Sequence, residues 1–315
     1  MFRDIPDLIE LHITPMEFRI GDVVFGGIPG VNPLVLIGSI FHLRDKKVIS
    51  HEDGVFDKQS AKRVIEEAES TIDSYGLSFA VDLLFNSSKA ITNYLPFIAD
   101  VTNAPIFLDS PSREARIASY KLAKELGLEE RVVVDAIYVD TDDEELQVIK
   151  EYNIRSAVLM AFDFTKSTQS LTPKAKIDIL REHLLPKAGK AGISNVMVDV
   201  AILDVGTIPL SALSIREVKG NLGIPAGCAI VNAFESLLKR GGISDYRIVS
   251  VVAGTVAMVR LCGADFVFYG PLEWSNYVVE GAAVVDGYLG YLLRLKGVRV
   301  PLDHPLKKFL PLIHS

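Results

Sequence analysis

The chain has 315 residues, 49% of them hydrophobic and 23% charged, with a formal net charge of −7. That acidic balance, with no long Lys/Arg run, argues against nucleic acid as a partner. The mean hydropathy of +0.28 is high for a soluble protein, yet no uncharged run reaches the roughly 18 residues that a bilayer span requires.

In chain order, Arg3, Asp4, Asp7 and Glu10 interrupt the N-terminus where a signal peptide needs an apolar core, so a cytoplasmic location is expected. Residues 18–25 read as a short hairpin that could plug a barrel floor, and "FGGIPG" (25–30) lacks the G-x-G-x-x-G spacing of a dinucleotide site. Apolar, often β-branched runs follow at 33–40, 78–85, 105–110, 131–139, 156–163, 195–203, 225–232 and 265–270. Segments with helical periodicity alternate with them, such as "DKQSAKRVIEEAESTIDSYG" and "SREARIASYKLAKELG". Eight such units in about 250 residues predict a (β/α)8 TIM barrel with a short N-terminal hairpin rather than a doubly wound sheet. The whole chain, 1–315, is expected to be one domain, with 1–32 as an N-terminal extension and hairpin. The polar loop 42–57 is a candidate lid or gate. The apolar stretch 282–293 fits a dimer face as well as a core helix.

Asp82, Asp109, Asp135, Asp163 and Asp199 lie within or at the ends of successive apolar runs. The carboxyl ends of parallel strands are where barrel ligands bind. Carboxylates crowded there repel one another unless a ligand, hydrogen bonds or shared protons offset the cost. The plainer alternative is that each acid caps the helix that follows it. As ligands, a Mg²⁺ ion and a ring presenting several N–H donors, such as a 2-amino-4-oxo pterin edge, both remain open. Cys228 and Cys262 and the six His residues show no metal-binding spacing, and no metal is expected from them.

The stretches "GGIPG…PLVLIGSIF", "FIADVTNAPIFLDS", "VMVDVAILDVG", "NLGIPAGCAIVNAFE" and "GADFVFYGPLEW…AAVVDGY" occur in an order that resembles the H-subunit family of tetrahydromethanopterin S-methyltransferase, over nearly the whole length. The resemblance implies methyl transfer from N5 of a tetrahydropterin, of the tetrahydromethanopterin or tetrahydrofolate type, to the cob(I)amide of a corrinoid protein. It also implies a place in one-carbon metabolism and methanogenesis, a homodimer, and peripheral attachment to a membrane-bound methyltransferase complex. Within it, "FLDS" puts Asp109 and "MVDVAIL" puts Asp199 at pterin-edge positions, and Asp82 in "AVDLL" is a third match. Asp135, Asp109 and Asp199 are the expected catalytic residues. Asp82, Asp163 and Asn232 join them as expected pterin-binding residues. Two segments depart from the pattern. Asp135-Ala136-Ile137 stands where related methyltransferases carry Asn-Ser, and Ile230-Val231 stands where Pro-His is usual. An Asp replaces the Asn amide donor only when protonated. The departures also favour a second reading, a non-catalytic paralogue that binds pterin or docks on a corrinoid protein. A dihydropteroate-synthase-like condensation ranks low, because "FYGPLEW" offers Glu273 where a basic anion clamp would be needed.

Overall fold

A computed structural model describes residues 11–234 and 245–309. Strands β1 (Glu17–Ile20) and β2 (Val23–Gly26) pair antiparallel, as do the short β4 (Val48–Ser50) and β5 (Val55–Phe56). The other eight are β3 (Val35–Ile40), β6 (Ser78–Leu84), β7 (Ile106–Asp109), β8 (Val132–Ile137), β9 (Ser156–Met160), β10 (Asn195–Asp199), β11 (Ala226–Ala229) and β12 (Phe266–Pro271). These close into a barrel of parallel strands in the order β3-β6-β7-β8-β9-β10-β11-β12, with β12 returning to β3. Helices follow the strands, and each of the eight runs read from the sequence is a barrel strand.

The strands are apolar on both faces because each face meets a different core. Val35 and Ile37 of β3 point inside with Ala80, Phe107, Val133, Val158, Met197, Phe266 and Phe268. Leu34, Leu36 and Ile40 join the larger cluster under the helices. Alternation along a strand therefore decides which residues line the interior. The loops from strand to helix end on capping residues: Asp57, Ser87, Ser112, Asp142 and Thr172 each accept N–H groups of the helix they open.

The β1-β2 hairpin closes the amino end of the barrel, as expected. Ile20 and Phe25 are fully buried in the inner core, and Phe25 meets Phe107 with ring centroids 6.1 Å apart. The loop 42–57, the candidate lid or gate, makes contacts at both of its flanks. Lys47 binds Glu273 and Asp45 on one side. On the other, Asp53 holds Lys89 at 2.6 Å and accepts from Asn93 at 2.9 Å, while Ser87 Oγ donates to the Glu52 carbonyl at 2.6 Å. Phe41 and Phe56 anchor it in an aromatic cluster with Tyr94 and Phe97. Among the described residues no helix is long and apolar enough to cross a membrane.

Candidate functional site

At the carboxyl ends of the strands, alternation places one more inward residue above the apolar interior. Phe107 is inside, so Asp109 two residues on is inside too, one layer higher. The same step takes Ala80 to Asp82, Val133 to Asp135 and Met197 to Asp199. Asp109 and Asp135 are register partners across β7 and β8. Asp82 lies opposite Ser39, whose hydroxyl donates to Asp82 Oδ2 at 2.6 Å. The other oxygen, Oδ1, is buried and has no hydrogen-bond partner. A buried acceptor without a donor costs free energy that a donor-bearing ligand recovers.

The four carboxyl groups feel each other's charge. Burial pushes Asp82 well above the ordinary carboxylate range, Asp109 adds to the shift, and the Ser39 hydrogen bond opposes it. Asp135 is likewise pushed well above that range, by burial and then by Asp109, Asp82 and Asp199. Burial raises Asp109 to about 6 against the pull of Arg116. It raises Asp199 to about 6 against the Ala201 N–H and Lys176. The layer therefore sets Asp109 and Asp199, both near 6, beside Asp82 and Asp135, whose neutral forms are favoured by burial and by like charge.

The backbone after β10 is bent to suit. Ala201 has a φ of 55°, unusual for a residue with a side chain. Its N–H donates to Asp199 Oδ1 at 2.6 Å and its carbonyl accepts from Ser211 Oγ at 2.7 Å, so both of its polar groups hold the bend. Below the acids the floor is apolar: Phe107 and Phe268 meet edge to face at 5.4 Å, and Met160 and Ala229 lie partly buried beside them. A cleft of about 420 Å³ opens next to the layer between the β7 and β8 loops, lined among others by Ser110, Arg113, Arg116, Tyr138, Glu145 and Phe164. Its cations are already committed. Arg116 binds Glu145 through two hydrogen bonds of 2.7 and 2.8 Å, and Arg113 binds Asp142 and Glu144.

Two of the expected residues stand apart. Asp163 lies beyond the end of β9, where its carboxylate caps a short 3-10 helix, accepting from the Thr165 N–H at 2.9 Å and hydroxyl at 2.6 Å. For this acid the capping alternative is the structural outcome. Asn232 is exposed in the helical residues 231–234 that follow β11. Ser39, Tyr138 and Lys176 were not singled out by the sequence. Ser39 alone had a signal, its inward place in the alternation of "VLIGSI". Among the described residues no three His, Cys, Asp or Glu side chains are placed to hold a metal ion.

A family model described as tetrahydromethanopterin S-methyltransferase MtrH subunit matches residues 15–300. The chain is 31% identical over 323 residues to the tetrahydromethanopterin S-methyltransferase H subunit of Methanothermobacter thermautotrophicus, covering 98% of this chain and 100% of the relative. It is 31% identical over 317 residues to the corresponding protein of Methanocaldococcus jannaschii, covering 94% and 98%. Among solved structures, dihydropteroate synthase of Xanthomonas albilineans in complex with indole-2-carboxylic acid and 6-chloroguanine superposes with a TM-score of 0.54 at 15% identity, covering 91% of this chain and 100% of that one. Dihydropteroate synthase of Yersinia pestis in a sulfonamide drug complex gives 0.57 at 11% identity, covering 87% and 99%. At these identities the two structures speak to the barrel fold alone.

Proposed function

The chain belongs to the H-subunit family of tetrahydromethanopterin S-methyltransferase, and from that premise we propose that it moves a methyl group from N5 of a methyl-tetrahydropterin to the cob(I)amide of a corrinoid protein. The observation that carries this reading is the inner rim of four acids, with Asp82 Oδ1 buried and unpartnered above an apolar floor. A flat ring with a donor-rich edge suits such a mouth, its face on Phe107, Phe268 and Met160 and its edge toward the carboxyl groups. Ionised Asp109 and Asp199 accept the N–H groups of that edge, each contributing roughly 1.5–3 kcal/mol as a charge-assisted hydrogen bond. A protonated Asp82 or Asp135 donates to the ring oxo group.

N5 is a tertiary amine and a poor leaving group unless it gains a proton or positive charge beside it as the bond to carbon breaks. Asp135 is suited to that task because burial and its neighbours favour its protonated form. In this reading Asp135 delivers its proton to N5 as the methyl group leaves and regains one through Tyr138 or water. A protonated Asp thereby supplies the donor that an Asn amide supplies in related methyltransferases. The corrinoid provides the Co(I) nucleophile. The side arm of the pterin leaves through the cleft beside Tyr138 and Phe164, whose rings lie 6.3 Å apart. Tetrahydromethanopterin is the donor that the family favours, with tetrahydrofolate as the alternative.

We propose further that the protein is a homodimer and works as a peripheral component of a membrane-bound methyltransferase complex. Support for the dimer is a strip on the outside of the helix Ser275–Leu295, where Tyr288 is 58% and Tyr291 50% exposed. Val251, Met258 and Leu261 are exposed on the neighbouring helix Asp245–Leu261.

Methyl transfer from methyl-tetrahydromethanopterin and methyl-tetrahydrofolate to cob(I)alamin tests the reading, with calorimetry for pterin binding. Turnover with either donor supports the enzyme. Pterin binding without turnover leaves the non-catalytic binding reading, which the substituted Asp135-Ala136 and Ile230-Val231 segments favour. Neither binding nor turnover overturns the enzyme and leaves only docking on a corrinoid protein.

A further inference from the structure

Lys176 lies in the helix Pro173–Ile179 and is 1% exposed. Its ammonium donates to the Ala161 carbonyl at 3.4 Å and sits 5.0 Å from the centroid of the Phe162 ring. Among the described residues it makes no direct ion pair, an uncommon state for a buried lysine. The Ala161 N–H in turn donates to the Asp199 carbonyl at 2.8 Å, which ties the lysine to the end of β10. From the barrel, the groups that act on the ammonium are the Asp199 carboxylate and the Cys228 thiol. A Met or Leu would fill this space without burying a charge.

We propose that Lys176 is a positioning residue for the site, its buried ammonium keeping Asp199 ionised so that this carboxylate is a standing acceptor for a ligand's N–H edge. The ligand half of the inference rests on the pterin reading above; the charge half does not. The comparison within the layer supports it. Asp135 lies among Asp109, Asp82 and Asp199 with no cation acting on it, and it is driven well above the ordinary range. Asp199 is more deeply buried than the half-buried Asp135, yet it rises only to about 6, with the Ala201 N–H and Lys176 both holding it down. Arg116 acts on Asp109 but is bound to Glu145 through two hydrogen bonds, whereas Lys176 has no carboxylate of its own. Burial brings Lys176 down to about 8, with Asp199 and Cys228 opposing that fall. Both groups are therefore charged between roughly pH 6 and 8.

The charge half is tested without ligand. Carboxyl-carbon NMR titration of aspartate-labelled protein, with Asp199→Asn for assignment, should show the Asp199 signal moving up by about one pH unit in Lys176→Met. No movement in a variant whose circular dichroism and melting remain native overturns the proposal. In the unmodified protein, nitrogen NMR of labelled lysine should find Lys176 charged at pH 7. A neutral Lys176 there overturns it whether or not the variant folds. For the ligand half, calorimetry with methyl-tetrahydromethanopterin from pH 5.5 to 8 should show Lys176→Met shifting the affinity profile to higher pH, with binding about fivefold weaker near pH 6. In an Asp199→Asn background the same change should leave the profile where it was. An equal loss in both backgrounds means that Lys176 acts by packing alone. A native protein that binds no pterin ends the pterin reading and leaves the NMR result to decide the charge.

Discussion

Asp135 is a carboxyl group whose neighbours favour its neutral form, and the consequence for stability has a definite sign. Its folded pKa lies well above the ordinary value of 3.8, because of burial and then the charges of Asp109, Asp82 and Asp199. A group shifted upward contributes stability that is present below the unfolded pKa and lost as pH rises through the folded one. Asp109 and Asp199, both near 6, act in the same direction. The ligand-free protein should therefore melt at progressively lower temperature as pH rises from 4 through 6 and beyond. Asp135→Asn should raise the melting temperature at pH 8 and change it little at pH 4, as calorimetric scans at the two values will show. In catalysis the same substitution keeps a donor and removes a transferable proton. Methyl transfer should fall roughly 10²- to 10⁴-fold, the usual worth of a general acid, and lose part of its pH dependence. Alanine at Asp109 or Asp199 should instead weaken pterin binding about ten- to hundredfold, measured by calorimetry, with the barrel still folded.

Two elements close the barrel. At its amino end the β1-β2 hairpin inserts Phe25, which stacks on Phe18 at 6.2 Å and meets Phe107 at 6.1 Å. Phe25→Ala should cost about 3–5 kcal/mol, because the site is fully enclosed and the cavity cannot collapse, and urea unfolding will measure it. At the seam between β12 and β3, Asp286 joins the last long helix to the first barrel strand. Its carboxylate accepts from the Leu34 N–H and from Arg260 Nε, both at 2.6 Å, and Arg260 also donates to the Asn32 carbonyl at 2.7 Å. Removing one partner strands the other charge in the interior. Asp286→Ala should thus destabilise by about 3–5 kcal/mol in the same unfolding experiment.

For the molecule as a whole, the helix Ser275–Leu295 has two jobs on its two sides. Ala282, Ala283, Asp286, Leu289 and Gly290 face inward and are buried within the chain itself. Tyr288 and Tyr291 are exposed on the same helix, and Val251, Met258 and Leu261 are exposed on the helix Asp245–Leu261 that packs against it. Large exposed aromatics next to exposed aliphatic residues are a common mark of a protein interface. If this strip joins two copies, Tyr288→Arg with Tyr291→Arg should convert a dimer to a monomer of native circular dichroism. Light scattering of the native protein at micromolar concentration checks the premise, and a monomer there ends it.

The sequence by itself determined the barrel. Parallel strands covered on both sides must be apolar on both faces, so they stand out as continuous runs, and Asp, Ser or Thr caps mark where helices begin. The resemblance to the family was likewise legible in motifs such as "FLDS" and "VMVDVAILDVG". Side-chain direction was not. Asp163 ends an apolar run and Asp199 lies within one, but only Asp199 falls on the inward phase of its strand, because β9 stops at Met160 and leaves Asp163 to cap a turn. The contacts of the polar loop 42–57 were hidden because its partners, Glu273, Lys89 and Asn93, are distant in sequence. Lys176, an ordinary residue in "TPKAKID", carried no signal at all. Its burial near Asp199, and the upward shifts of Asp82 and Asp135, are decided by tertiary structure alone: desolvation and like charge arise only when strands far apart in the chain bring these groups together.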